Sequence, residues 1–527
     1  MSEPRVVTEA LGGSPLSRAA QSGRLPEWYG RTPTNPDEWR ERIEAVRASS
    51  SASWLRDLEP ALSASGAASE RLARAAASGV VVTTGQQPGP FGGPLMTLAK
   101  ALTALALADT LERTTGVPVA PVFWAATDDA DFDEAALVSV ALDGGEQDVR
   151  CEPSAPAGTP LAKVPLQLAV DARAVFAVAC GSVAGQAFFD AGLETYHDGT
   201  TVGDAYVTLL RRVLEPLGIA VLDASHPAVL AAGSELLTRA ATRADALADA
   251  VRRRTTEIEH AGFTPQVVEV PGLSLVFGTA TGTKRRLTVR EASEIGSPRR
   301  DGHGLSATVL LRPVLERAIL PTAAYVGGPG EIAYFAQVSA VAATLDVPAP
   351  LVVPRWSTTV LEPRIQRILE TLNVQPAELA DPHALETKLA RSRLSPESAG
   401  ALRALRERLD GEIGKVAAAS GSATPAAVFE GFRRSLEHRI ARLERRVLAG
   451  VKRREHELMR AVATARGSLY PHGARQERKL SYLALLARYG QPLMDRLLEG
   501  ALAHAQRIVT REASAALPAV PVPERAS

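Results

Sequence analysis

The sequence predicts an α/β fold: an open parallel sheet with inserted segments, followed by an antiparallel helical coiled coil. Three observations point there. The apolar runs "VVVTT" (Val80–Thr84) and "GVPVAPVFWAA" show no polar alternation and are separated by a helical pattern, as expected of parallel strands covered on both faces. The strand–loop–helix order of residues 80–111 is echoed at 320–345 by "LPTAAYV", "GGPGE" and "IAYFAQVSAVAATL". Leu402, Leu405, Leu409, Ile413 and Val416 recur at spacings of three and four, the seam of a coiled-coil helix.

Taken in order, residues 1–78 read as an extended lead-in followed by helices that pack on the core. Residues 79–390 form the α/β core. Its first helix is predicted over Pro94–Leu111, with proline in the opening turn. A middle stretch of about 140–300 mixes short strands and helices and reads as an insertion. Within it "LGIAVLDASHP" is a strand ending in Asp223 and His226, and "LSLVFGTATGTKRRLTV" is a β-hairpin with a glycine–threonine turn. Residues 391–466 are predicted as a helical hairpin broken at "AASGSAT", with Pro425 opening the second helix and Leu436, Ile440, Leu443 and Val447 continuing the seam. Residues 467–511 are predicted as helices returning to the core, and 512–527 as a disordered tail.

Composition excludes several function classes. A chain of 527 residues exceeds one ordinary core. Its 59 basic and 59 acidic residues cancel, which removes the protein-wide electrostatic case for nucleic acid or an acidic membrane surface. The arginine-rich run from Arg433 to Glu455 reads as a solvated helix face with ion pairs, with nucleic-acid binding as the alternative. Cys151 and Cys180 lack a C-x-x-C pattern, so two reduced thiols are expected and no structural zinc. The opening "MSEPRVVTEALGGSP" lacks the apolar core of a signal peptide, and "LAKALTALALADTLE" is too short and interrupted to span a bilayer. A cytoplasmic protein is expected.

In open α/β sheets ligands bind beyond the carboxyl ends of the strands. Four such ends deliver Gln86 and Gln87, the cluster Asp128–Glu134, the loop Tyr325–Glu331, and Pro354–Arg355, all expected to converge. The loop "TGQQPGPFGGP" lets backbone approach a ligand, and the helix after it points its positive dipole end towards phosphate or carboxylate. Asp128, Asp129, Asp131, Asp133 and Glu134 crowd carboxylates, which raises some pKa values and suits proton abstraction or recognition of an ammonium group. Their oxygens also suit Mg²⁺, although Asp131 as a helix cap explains part of the cluster. Arg312 has the planar fork to clamp a phosphate or carboxylate. Glu331 stands where the second glycine loop meets its helix. His226, His303 and His472 are isolated, and no Ser–His–Asp order can be argued.

The segments "TTGQQPGPFGGPLMTLAKAL", "PVFWAATDDADFDE", "LLRPVLERAILPTAAYVGGPGEIAYFAQ", "VPAPLVVPR" and "RQERKLSYLALLARYG" carry a family resemblance over nearly the whole chain. The sequence resembles the bacillithiol biosynthesis cysteine-adding enzymes (BshC). The resemblance implies a Rossmann-like core similar to class I aminoacyl-tRNA synthetases and nucleotidyltransferases, with a coiled-coil arm that makes a homodimer. It implies a ligase joining the carboxyl of L-cysteine to the amine of glucosaminyl-malate, the last step of bacillithiol biosynthesis, with ATP or another nucleotide activating the carboxylate. By the same resemblance Gly85, Gln86 and Gln87 form a substrate-binding first loop. Asp128, Asp129, Asp131, Asp133 and Glu134 form the acidic segment, with Asp129 and Asp131 catalytic. Arg312, Tyr325, Gly327, Gly328 and Glu331 complete the substrate site, and Gly473, Gln476 and Arg478 are nucleotide-binding candidates. The family pattern Glu-Asp-His-Asp here reads Asp128-Asp129-Ala130-Asp131, so its histidine is replaced by Ala130. A nucleotidyltransferase acting on another amino-sugar or acid, and an inactive dimeric scaffold, are the alternatives this departure leaves open.

Overall fold

The computed structural model describes residues 3–279, 282–295 and 304–510. His303, part of the glycine–threonine turn and the 512–527 tail lie outside the described residues. The chain divides into two compact units. The first comprises residues up to Val140, Gln147–Pro363 and the chain from Gln476 on; the second comprises Ala141–Glu146 and Arg364–Arg475. The sequence expectation placed the arm at 391–466, whereas the second unit begins 27 residues earlier, at Arg364.

The first unit is built on five parallel strands: β1 (Val80–Gln86), β2 (Val119–Ala125), β3 (Ala220–Asp223), β4 (Thr322–Gly327) and β5 (Val352–Pro354). Their order is β5-β4-β1-β2-β3, every neighbouring pair parallel. The chain therefore steps outward from β1 through β2 to β3, then crosses to the other side of β1 for β4 and β5. The β1/β4 boundary is the point where strand order reverses, the place where such sheets bind ligands.

Unalternating strands need cover on both faces, and they have it. Val81, Val122, Trp124, Leu222 and Tyr325 share one core with helices Trp54–Leu62 and Gly66–Ser78. Against the sheet also runs α2 (Leu95–Thr115), which follows α1 (Pro36–Ala48) in the chain. Sixteen residues of α2 are buried on all sides of the helix, and only its last turns reach solvent, where Arg113 is exposed. Gly116, at φ 75°, ends it in the left-handed conformation that glycine tolerates. After β3 come α3 (Arg312–Ile319) and, beyond β4, α4 (Pro329–Thr344). Trp356 closes the far end: its Nε1 donates to Thr8 Oγ1 at 3.0 Å and its backbone N–H to Thr103 Oγ1 at 3.0 Å. The insertion holds an antiparallel pairing of Leu273–Gly278 with Arg285–Thr288, the predicted hairpin strands, joined by Leu305–Ala307.

In the second unit, α5 (Pro396–Ser420) and α6 (Ala426–Arg454) form the predicted hairpin. Asp410 pairs with Arg433 at 2.7 Å and Arg406 with Glu444 at 3.3 Å, a pairing that runs antiparallel. Ile413 and Ile440 are buried, but Leu405, Val416 and Leu443 of the seam stay 37%, 56% and 44% exposed. Two helices cover only one side of each other, so part of the apolar stripe faces outward. The last helix among the described residues, α7 (Gln491–Thr510), belongs to the first unit and packs on α2.

A candidate active site at the carboxyl edge of the sheet

At the reversal point the ends of β1 and β4 are tied together by one buried lysine. Lys100, on α2, donates to Gly85 O at 2.7 Å and Gln86 Oε1 at 3.0 Å, and pairs with Glu331 Oε2 at 2.5 Å. All three ammonium hydrogens therefore have acceptors. Glu331 also accepts from the Gly328 N–H at 2.7 Å and from Tyr325 Oη at 2.5 Å. Burial alone pushes the Glu331 pKa up, but Lys100, Tyr325 and Gly328 reverse this and hold it below the ordinary value. Burial lowers the Lys100 pKa, and Glu331 opposes that shift. Gly328 packs closely here: a side-chain carbon there would lie 3.3 Å from Glu331 Oε2 and 3.7 Å from Arg355 Nε.

The network continues away from the edge. Arg312 gives Nη1 to Glu316 at 2.7 Å and Nη2 to Tyr325 Oη at 3.2 Å, and its guanidinium lies 5.1 Å from the Tyr325 ring centroid. Its fork is engaged inside the protein, so the geometry makes it a positioning residue for Tyr325 and Glu331. Arg355 forms a two-pronged pair with Glu477 at 2.7 and 2.8 Å. Three cations (Lys100, Arg312, Arg355) thus face three carboxylates (Glu331, Glu316, Glu477), as buried charges require.

On the other side, Gln87 Nε2 donates to Asp129 Oδ2 at 2.6 Å, joining the first loop to the acidic segment. Asp129 Oδ1 accepts the N–H groups of Ala130 and Asp131, which fixes its orientation. Asp131 accepts the Glu134 N–H at 3.2 Å and caps the short helix Phe132–Ala135, as its spacing predicts. Asp128 pairs with Lys284 at 3.0 Å. Asp133 is exposed in the first turn of that helix. The Glu134 pKa is raised by burial and by Asp131, with Gln87 and Arg478 opposing. Beyond it, Asp223 Oδ1 accepts from Ser225 N and Oγ and from Thr127 Oγ1. His226 is a helix cap, its Nδ1 accepting from Ala228 N.

Two expectations change at the glycine loops. The second half of the first loop is packing rather than ligand surface. Phe91, at φ 49°, stacks on Phe176 at 4.0 Å, and Tyr196 Oη bridges Gly89 O and Gly92 N. The start of α2 is likewise closed, because Leu95 N donates to Leu480 O at 2.8 Å and Pro94 has no N–H. At the start of α4 the Glu331 carboxylate accepts the Gly328 N–H. Among the described residues no three His, Cys, Asp or Glu side chains are grouped to hold a metal ion, and none of the helices is long and apolar enough to cross a membrane.

The late segment is divided. Gln476 gives both ends of its amide to the Val360 backbone, accepting at 2.7 Å and donating at 2.9 Å. Arg478 is exposed in the same unit, its charge acting on Glu134. Gly473 falls in the other unit, at φ 73°.

A family model described as the bacillithiol biosynthesis BshC N-terminal Rossmann-like domain matches residues 17–356. A second, the BshC C-terminal coiled-coil domain, matches 358–509. The chain belongs to the BshC family. Among curated BshC relatives, "Putative cysteine ligase BshC" of Koribacter versatilis is 31% identical over 82% of this chain and 83% of its own. The protein of the same name from Solibacter usitatus is 32% identical over 82% and 84%, and that of Thermus thermophilus is 29% identical over 78% and 84%. The four strand ends expected to converge in this BshC chain are linked by Gln87–Asp129, Lys100–Glu331 and the approach of Arg355 to Gly328. Lys100, Glu316, Glu477 and Lys284 take part in these networks without standing among the sequence candidates. Lys100 had a readable signal: it is the lone charge in the otherwise apolar and neutral stretch Leu95–Leu107.

Proposed function

We propose that this BshC-family ligase joins the carboxyl of L-cysteine to the amine of glucosaminyl-malate as the last step of bacillithiol biosynthesis. The observation that carries the reading is the Gln87–Asp129 contact beside the reversal point, which sets an oriented carboxylate against the first loop. A sugar amine is an ammonium at neutral pH and cannot attack until it loses a proton. Asp129 and Asp131 hold and orient the ammonium, and one of these carboxylates takes the proton. The freed nitrogen lone pair then forms the C–N bond to the activated cysteine carboxyl carbon, and the activating group leaves with the carboxyl oxygen. The Lys100–Glu331 pair keeps the two loops in register so that both substrates meet. Carboxyl activation by ATP or another nucleotide is part of the proposal as a chemical requirement. No step is assigned to this chain's residues through a nucleotide or Mg²⁺.

A homodimer through α5 and α6 belongs to the same reading. Leu405, Val416, Val428, Phe432 and Leu443 are large apolar side chains left exposed on that hairpin.

Purified protein incubated with cysteine and glucosaminyl-malate, with and without ATP, is expected to yield bacillithiol by mass spectrometry. Asp129→Asn and Asp131→Asn are each expected to lower turnover at least a hundredfold while leaving the circular dichroism unchanged. No product from folded wild-type protein under either condition overturns the reaction; unchanged turnover in both variants removes the acidic segment from it.

A further inference from the structure

Most carboxylates at the carboxyl edge face a cation: Glu331 has Lys100, Glu316 has Arg312, Glu477 has Arg355 and Asp128 has Lys284. Asp223, at the end of β3, has none among the described residues. Its Oδ1 takes three donors: Thr127 Oγ1, the Ser225 N–H at 3.0 Å and Ser225 Oγ at 2.8 Å. The Ser225 N–H also donates to Thr127 Oγ1 at 3.1 Å, so the three residues brace one another. Thr127 is buried, whereas Asp223 is only half-buried. Its Oδ2 accepts nothing among the described residues and stays open to solvent. The carboxylate is therefore fixed by one oxygen and presents the other, with no counter-charge.

The sheet sets what that oxygen meets. Asp223 is in register with Ala125 of β2, and Ala125 with Gln86 of β1. Residues in register leave a parallel sheet on the same face, so Asp223 stands on the face of Gln86, two strands or roughly 10 Å away. The acidic segment begins between them, at the end of β2. The proposed reaction brings two amines to this edge. The sugar amine must lose a proton, and Asp129 and Asp131 are assigned to it. The α-amine of cysteine must keep its proton, since a free α-amine would compete for the activated carboxyl. A carboxylate in contact favours the charged form of an amine. An oxygen oriented in advance suits that task, because little freedom is lost on contact.

We infer that Asp223 binds the α-ammonium of the amino-acid substrate through Oδ2, with Thr127 and Ser225 as positioning residues. On the cysteine-ligase reading, on which this assignment rests, Asp223 is the group that selects an α-amino acid. The carboxyl carbon lies two bonds from the α-nitrogen. An ammonium held here therefore keeps the carboxyl beside the end of β2, where the sugar amine is deprotonated. 3-Mercaptopropionate, which has the thiol and carboxyl of cysteine without the amine, lacks the contact.

Equilibrium dialysis of the full chain against radiolabelled L-cysteine under reducing conditions, with 3-mercaptopropionate as competitor, tests this. Wild type is expected to bind cysteine at least about tenfold tighter than 3-mercaptopropionate, the weight of one hydrogen bond between charged groups. Asp223→Asn keeps the acceptor for Thr127 and Ser225 and replaces Oδ2 with a neutral donor. It is expected to weaken cysteine at least about tenfold and to leave 3-mercaptopropionate unchanged, with the circular dichroism of wild type. In turnover its KM for cysteine rises by the same factor, while that for glucosaminyl-malate stays. Should it fail to fold, Ser225→Ala decides: it removes one brace from Oδ1 and is expected to weaken cysteine about threefold without touching 3-mercaptopropionate. No saturable cysteine binding, equal wild-type affinities for the two thiols, or cysteine binding that Asp223→Asn leaves unchanged overturns the site. Bacillithiol formed with an unchanged KM for cysteine in Asp223→Asn refutes the site and keeps the reaction. Cysteine bound through Asp223 without any product refutes the reaction and keeps the site.

Discussion

At the scale of single residues, Lys100 and His504 make the clearest tests. Lys100→Met removes the partner of a buried carboxylate, and such half-broken pairs cost about 3–5 kcal/mol. Adding Glu331→Gln is expected to recover much of that loss, measured by urea unfolding of the two single variants and the double. His504 Nε2 donates to Pro354 O at 2.9 Å, and its pKa is lowered to about 4 by burial, with Arg507 and Arg355 adding to the shift. Folding therefore favours the neutral ring. Its contribution is complete above the ordinary histidine value of 6.5 and is lost as pH falls towards 4, at most roughly 3 kcal/mol. His504→Gln is expected to flatten the stability profile between pH 6.5 and 4. The lowered carboxyls of Glu331 and Glu477 give a separate acid limb below the ordinary glutamate value, which that variant keeps.

At the scale of elements, the first glycine loop does two jobs in two halves. Gly85–Gln87 face the lysine and the acidic segment, whereas Pro88–Pro94 are locked into the core. Gly92 is at φ 83°, and a side-chain carbon there would lie 2.2 Å from Tyr482 Oη. Gly92→Ala is expected to destabilise by roughly 2–5 kcal/mol through backbone strain and overpacking. Gly116, at φ 75° with nothing within 4 Å, provides the contrast: Gly116→Ala is expected to cost only about 1–2 kcal/mol. Differential scanning calorimetry of the pair separates strain from crowding. The loop's composition could not divide these roles, since glycine is required equally by a ligand's approach and by a tyrosine's.

At the scale of the whole molecule, the two units answer to different chemistry. The first holds the sheet and the candidate site; the second exposes an apolar stripe on α5 and α6. If that stripe is the dimer contact, deleting Gly400–Gly450 gives a monomer by sedimentation, and a dimer surviving the deletion refutes it.

Periodicity, apolar runs and turn residues by themselves determined four strands of the parallel sheet, the loops at their ends and the helical hairpin, because backbone pattern is local; the strand ending in Asp223, read as part of an insertion, joins the same sheet as β3. The same local signals placed Asp131 as a cap and Gln87 at the edge. Only the tertiary structure decided that Lys100 joins two loops about 245 residues apart and that Arg312 serves Tyr325 and Glu316. Those outcomes depend on which charges share a low-dielectric interior, and burial pairs residues by distance in space, which sequence spacing does not contain.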